Sequence, residues 1–99
     1  MMWRLFFFGN VIEIAPDFAD AHNNLGVVLM AQGKLADAAA SYQKALSLQP
    51  THSSAHYNLG NAYKDQGRLK QAVSSYQKAA QLTPNHAQLH NNLGDALRR

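Results

Sequence analysis

Ninety-nine residues, 46% hydrophobic and 15% charged, carry enough apolar material for one small folded unit and too much for a disordered chain. The lack of cysteine excludes a disulfide scaffold, a thiolate nucleophile and any Cys-based zinc site. A net charge of +3 mildly favours acidic partners and is no nucleic-acid signature by itself, and no apolar run approaches the roughly 20 residues a spanning helix needs.

The elements follow an internal repeat. Shifting the chain by 34 aligns Ala19–His52 with Ser53–His86 without a gap, and 17 of those 34 positions are identical. AHNNLG matches AHYNLG, QGKL matches QGRL, and SYQKAL matches SYQKAA. In chain order the reading gives a degenerate half repeat over 1–16 holding a second helix only, whole repeats over 19–52 and 53–86, and a partial repeat over 87–99 holding a first helix only. Apolar spacing is helical rather than strand-like. It predicts helices at about 2–14, 18–32, 35–48, 52–66, 69–82 and 86–98.

The opening MMWRLFFFG has an apolar core shorter than the roughly 7–15 residues of a secretory leader and no small-residue cleavage site, so a cytoplasmic location and a truncated helix are expected. Pro16, Pro50 and Pro84 should end the second helices, with Asp17, Thr51 and Asn85 as the next N-caps. Ala21, Leu25, Val28 and Leu29 form the expected core stripe of the first repeat. Ala55, Leu59, Ala62 and Tyr63 form that of the second. Gly33 and Gly67 sit where a left-handed residue closes a helix. Gly26, Gly60 and Gly94 fall inside helices at a cost of about 1 kcal/mol each, which predicts a close helix approach, with Ala38, Ala45, Ala72 and Ala79 opposite.

This pattern resembles the tetratricopeptide repeat family. The residues that carry the likeness are Leu25, Gly26, Leu29, Gly33, Ala38, Tyr42, Ala45 and Pro50, then Leu59, Gly60, Tyr63, Gly67, Ala72, Tyr76, Ala79 and Pro84. His22, His56 and His90 stand where the family usually has Trp, and the N-terminal segment fits only at Phe8, Val11, Ile14 and Pro16. The resemblance implies an all-α fold: tandem helix-turn-helix repeats in a short right-handed superhelical solenoid. Stability would come from stacking neighbours. Both terminal helices look apolar and uncapped, so either a longer array or end-to-end self-association is expected.

The resemblance also implies a groove lined by first helices that binds a polypeptide. Its candidate binding residues here are Asn23, Asn24, Val27, Met30, Tyr57, Asn58, Asn61, Lys64, Asn91, Asn92 and Asp95. Val27 and Met30 could receive an apolar side chain or contact the N-terminal segment. Asn24, Asn58 and Asn92 recur in one register and resemble the ladder in the repeat domains of O-linked N-acetylglucosamine transferases. Two readings stand: the carboxamides hold an extended peptide backbone, or they bond across to the neighbouring repeat. The family's clamp for acidic C-termini is rejected, because Asn23, Val27, Gln88 and Asn92 replace its other members and only Asn58 fits.

The pairs His52/His56 and His86/His90 have the i, i+4 spacing of metal ligands, yet His22, His56 and His90 share the position of a packing aromatic, which favours a structural role. No cofactor is implied. Scattered serines and carboxylates support no catalysis, and Lys34, Lys44, Arg68, Lys70 and Lys78 fall on turns and second-helix faces without interleaved aromatics, which argues against nucleic acid. The sequence therefore points to a non-catalytic interaction or scaffold module with a protein or peptide partner. The alternative is the substrate-recognition part of a larger enzyme, such as a glycosyltransferase.

Overall fold

The computed structural model describes the backbone from Ile14 to Arg99 and side chains from Phe18 onward. The helix expected over 2–14, and with it most of the 1–16 half repeat, lies outside the described residues. Five helices follow: α1 (Ile14–Ala31), α2 (Leu35–Leu48), α3 (Ser53–Asp65), α4 (Leu69–Leu82) and α5 (Ala87–Arg98). Each packs against the next, and α3 also touches α1 and α5, so first helices form one layer and second helices another. The resulting body measures 48 × 28 × 18 Å, the shape of antiparallel rods stacked in series, and it is an all-α repeat solenoid.

Glycine closes both hairpins. Gly33 and Gly67 have φ of 78° and 79°, a conformation that only glycine adopts without a Cβ penalty. Lys34 and Arg68 then donate back to the carbonyls of Leu29 and Tyr63 at 2.9 and 2.8 Å, while Gly33 and Gly67 donate to Met30 and Lys64. These bonds satisfy carbonyls that the helix end leaves orphaned.

Two boundaries differ from the sequence expectation. Pro16 does not separate two helices; it is the third residue of α1, within the first turn, where the missing N–H would have no intrahelical partner anyway. The N-caps of α3 and α5 are His52 and His86 rather than Thr51 and Asn85. Their Nδ1 atoms accept from the backbone N–H of Ala55 at 3.1 Å and of Leu89 at 3.0 Å, the job usually given to Ser, Thr, Asp or Asn.

The core runs along the stack through Tyr42, Leu59, Tyr63, Tyr76, Leu89 and a set of fully buried alanines. The close approach predicted at the helical glycines is present, with a different partner. A Cβ at Gly26 would lie 2.4 Å from the ring of Tyr42, and one at Gly60 would lie 2.6 Å from the ring of Tyr76. The alanines of α2 and α4 let the helices come together, and the tyrosine rings fill the space the glycines leave. The expected core stripe of α1 is corrected in part: Leu29 packs against the core, but Ala21, Leu25 and Val28 are exposed. Their register mates Ala55, Leu59 and Ala62 are buried, in a helix that packs on α2. Among the described residues no second helix stands before α1 to do the same.

Substituting alanine at the two kinds of glycine should separate packing from propensity. Gly60→Ala forces its methyl into Tyr76 and should cost about 1–3 kcal/mol. Gly94→Ala meets only Arg98 Nη1, at 3.4 Å, and should gain up to about 1 kcal/mol of helix propensity. Urea denaturation of both variants reads the opposite signs.

Candidate functional site

Stacking brings the first helices α1, α3 and α5 side by side, so residues in equivalent register line one continuous face. The asparagines on this face pair across repeats. Asn58 Nδ2 donates to Asn23 Oδ1 at 3.0 Å, and Asn92 Nδ2 donates to Asn61 Oδ1 at 3.0 Å and to the Tyr57 hydroxyl at 3.2 Å. Asn61 Oδ1 also accepts from the Tyr76 hydroxyl, which ties the face to the core ring over Gly60. The Oδ1 atoms of Asn58 and Asn92 have no hydrogen-bond partner among the described residues. The inter-repeat reading of the ladder thus accounts for one N–H of Asn58 and both of Asn92, and leaves the two Oδ1 acceptors.

The candidate residues divide by what engages them. Asn23 is buried, Met30 packs against the core, and the Tyr57 ring lies 4.7 Å from that of His86 and 6.1 Å from that of Tyr76. Asn24, Val27 and Asn91 are exposed, Val27 at 48%. Asn24 does not join Asn58 and Asn92 in a repeated pairing; in the first repeat the bonded residue is its neighbour Asn23.

Charge gathers at the α5 end. Asp95 accepts from Lys64 Nζ at 3.4 Å and lies 3.0 Å from Arg99 Nη2 and 3.9 Å from Arg98 Nη2. Partial desolvation raises the Asp95 pKa, but the Arg99 charge and the hydrogen bonds from Lys64 and Arg99 outweigh it and hold the carboxyl below its ordinary range. Burial pushes the Tyr42 hydroxyl up to about 12. It raises that of Tyr76 further, helped by Tyr57, Asp65 and Asp95 and opposed by Arg99, so both remain neutral at physiological pH and Tyr76 remains a donor to Asn61.

The histidines have structural work. His52 Nδ1 caps α3 while Nε2 lies 2.7 Å from Asp20 Oδ1, which requires the tautomer protonated on Nε2 if the ring is neutral. His56 and His90 reach back from Nε2 to the carbonyls of Pro50 at 2.9 Å and Pro84 at 2.6 Å, fastening each first helix to the turn before it. These roles were missed in the sequence, although the spacing of Pro50 to His52 and Pro84 to His86, just ahead of helical periodicity, was a usable signal.

The family model for the TPR repeat matches residues 28–67 and 60–99, and a tetratricopeptide repeat model matches 7–40. The chain belongs to the tetratricopeptide repeat family. Among solved structures, the TPR fold aligns with MamA at TM-score 0.80 and 24% identity, over 84% of this chain and 48% of that one. YrrB, described as a TPR protein with an unusual peptide-binding site, aligns at TM-score 0.74 and 30% identity over 78% of this chain and 40% of that one. The first TPR of Spaghetti (RPAP3), bound to the HSP90 peptide SRMEEVD, aligns at TM-score 0.81 and 22% identity over 84% of this chain and 68% of that one. This TPR chain therefore spans about half the length of MamA and less of YrrB. No curated protein matches the sequence significantly. Among the described residues no helix is long and apolar enough to cross a membrane.

Two substitutions test the site's supports. His52→Ala removes the α3 cap and should cost about 1 kcal/mol in denaturant unfolding, most of it recovered by His52→Asn. Asp95 has a depressed pKa in the folded state, so its contribution is fully present above the unfolded value of about 3.9 and fades as pH falls toward the folded one. The stability gap between wild type and Asp95→Asn should be constant near neutrality and close on acidification, as read by denaturant melts across pH.

Proposed function

We propose that this TPR chain is a non-catalytic interaction module that binds an extended polypeptide segment along the face of α1, α3 and α5. The observation that carries the reading is the half-used ladder: Asn58 and Asn92 donate to the neighbouring repeat and keep Oδ1 acceptors for peptide N–H groups. Exposed Val27, beside Asn24, offers an apolar contact at one end, and the Lys64–Asp95–Arg99 cluster offers charge at the other. Asn91 adds an exposed carboxamide near that charged end. Asn23, Asn61, Met30 and Tyr57 support the face from beneath. The peptide-binding descriptions of YrrB and of the Spaghetti repeat agree with a polypeptide partner. An acidic C-terminal peptide is not the favoured ligand, because Asn23, Val27, Gln88 and Asn92 occupy the matching clamp positions. The proposal places the module in the cytoplasm, with which a cysteine-free sequence is compatible.

Selection of a random peptide display library on the immobilised chain should yield binders. Val27→Asp and Asn24→Ala should each weaken the selected peptides by about tenfold, equivalent to about 1.4 kcal/mol, with unchanged thermal melts. Selected peptides that bind both variants like wild type would remove this face as the site.

A further inference from the structure

The α4–α5 end of the stack carries a seat for a second helix. Gly26 and Gly60 are covered by Tyr42 and Tyr76, whereas a Cβ at Gly94, in the same register, would meet only the Arg98 side chain. Beside it lies a cleft of about 330 Å³ lined by Leu69, Lys70, Val73, Ala96, Leu97 and Arg99. Leu97 is 63% exposed, while its register mate Tyr63, covered inside the stack, is 8% exposed. The contrast gives the chemistry of what belongs there: an apolar helix with an aromatic ring placed to lie on the glycine.

The chain's own sequence contains such a segment. Phe8 precedes Pro16 by the interval at which Tyr42 precedes Pro50 and Tyr76 precedes Pro84; Val11 stands in register with Ala45 and Ala79, and Ile14 with Leu48 and Leu82. The portion outside the described backbone, 1–13, is nearly the 14-residue length of α2 and α4. Arg4 falls in register with fully buried Ala38, so the complementary part begins after it.

We propose that copies of this chain associate head to tail, with residues 7–13 of one copy, ahead of its α1, seated on α4 and α5 of the next and Phe8 over Gly94. The contact gives the open side of α5 an apolar neighbour supplied by another chain. It is heterologous, since the segment and the seat are different surfaces, so it extends into open chains rather than closing as a two-fold dimer.

Sedimentation of the 99-residue chain over a concentration series tests this, with circular dichroism melts as the folding control. The weight-average mass should rise above the 10.9 kDa monomer. Gly94→Leu, which fills the seat where only the Arg98 side chain must yield, and Phe8→Ala should each hold it at the monomer. Leu97→Lys, on an exposed position of the seat, is an independent block. Mixing Gly94→Leu with Phe8→Ala should restore a species of twice the monomer mass, because each variant retains the surface the other lacks. Monomer mass for wild type throughout, association that survives the seat variants, or a mixture that stays monomeric would each overturn the proposal. So would association abolished at Gly94 and Leu97 but untouched by Phe8→Ala, which would assign the seat to another occupant.

Discussion

The contact of an aromatic ring with a helical glycine sets the geometry of the stack. A glycine within a helix weakens that helix, and it is tolerated at Gly26 and Gly60 because Tyr42 and Tyr76 lie where a Cβ would be. The ring also carries a hydroxyl. From Tyr76 it reaches Asn61, and Asn61 in turn accepts from Asn92 of the next repeat. One tyrosine therefore fixes both the spacing inside a repeat and the docking of the following one. Burial raises its pKa, so this donor stays protonated at any physiological pH.

Polar groups on the first helices hold the repeats together and still leave acceptors unused. A carboxamide can donate and accept at once, which lets Asn58 and Asn92 bond across repeats while still offering an oxygen. Histidine has the same economy at the turns. His52 caps α3 through Nδ1 and meets Asp20 through Nε2, so a single ring joins the start of α3 to α1, the first helix of the preceding hairpin. Ser53 and Thr83 hydroxyls make a further link, between the start of α3 and the end of α4. These cross-links tie the helices to one another, where a stack held by small apolar contacts alone would be free to slide.

What the sequence made legible was the part governed by period. The 34-residue repeat located α2 through α5 to within a residue or two, and Gly33 and Gly67 marked both hairpin turns. What it left hidden depended on neighbours. Leu25 and Leu59 are the same residue in the same register, yet one is exposed and the other buried, because exposure is decided by the helix packed in front. Pro16 and Pro50 likewise look alike in sequence. One sits in the first turn of α1 and the other in a turn between helices, since a proline is compatible with both places. The asparagine ladder pairs one position out of register: Asn58 and Asn92 donate to Asn23 and to Tyr57, the residues just before the recurring asparagine of the preceding repeat, and Tyr57 stands where the first repeat has Asn23.

That substitution shows how a repeat array differentiates without altering its backbone. In the α1–α3 step the ladder has one acceptor, the Asn23 carboxamide, and in the α3–α5 step it has two, the Asn61 carboxamide at 3.0 Å and the Tyr57 phenol at 3.2 Å. The phenol ring covers His86, the cap of α5, so the same residue serves the ladder and shields the next helix start. A short array has few such steps, and each one carries a large share of its cooperativity. Under the proposed function, stability and specificity draw on the same residues: a change at Tyr57 loosens the docking of α5 and reshapes the proposed ligand face together. The positions free to vary for a partner alone are those engaged by nothing, and on this face Asn24, Val27 and Asn91 are the exposed ones among the candidates.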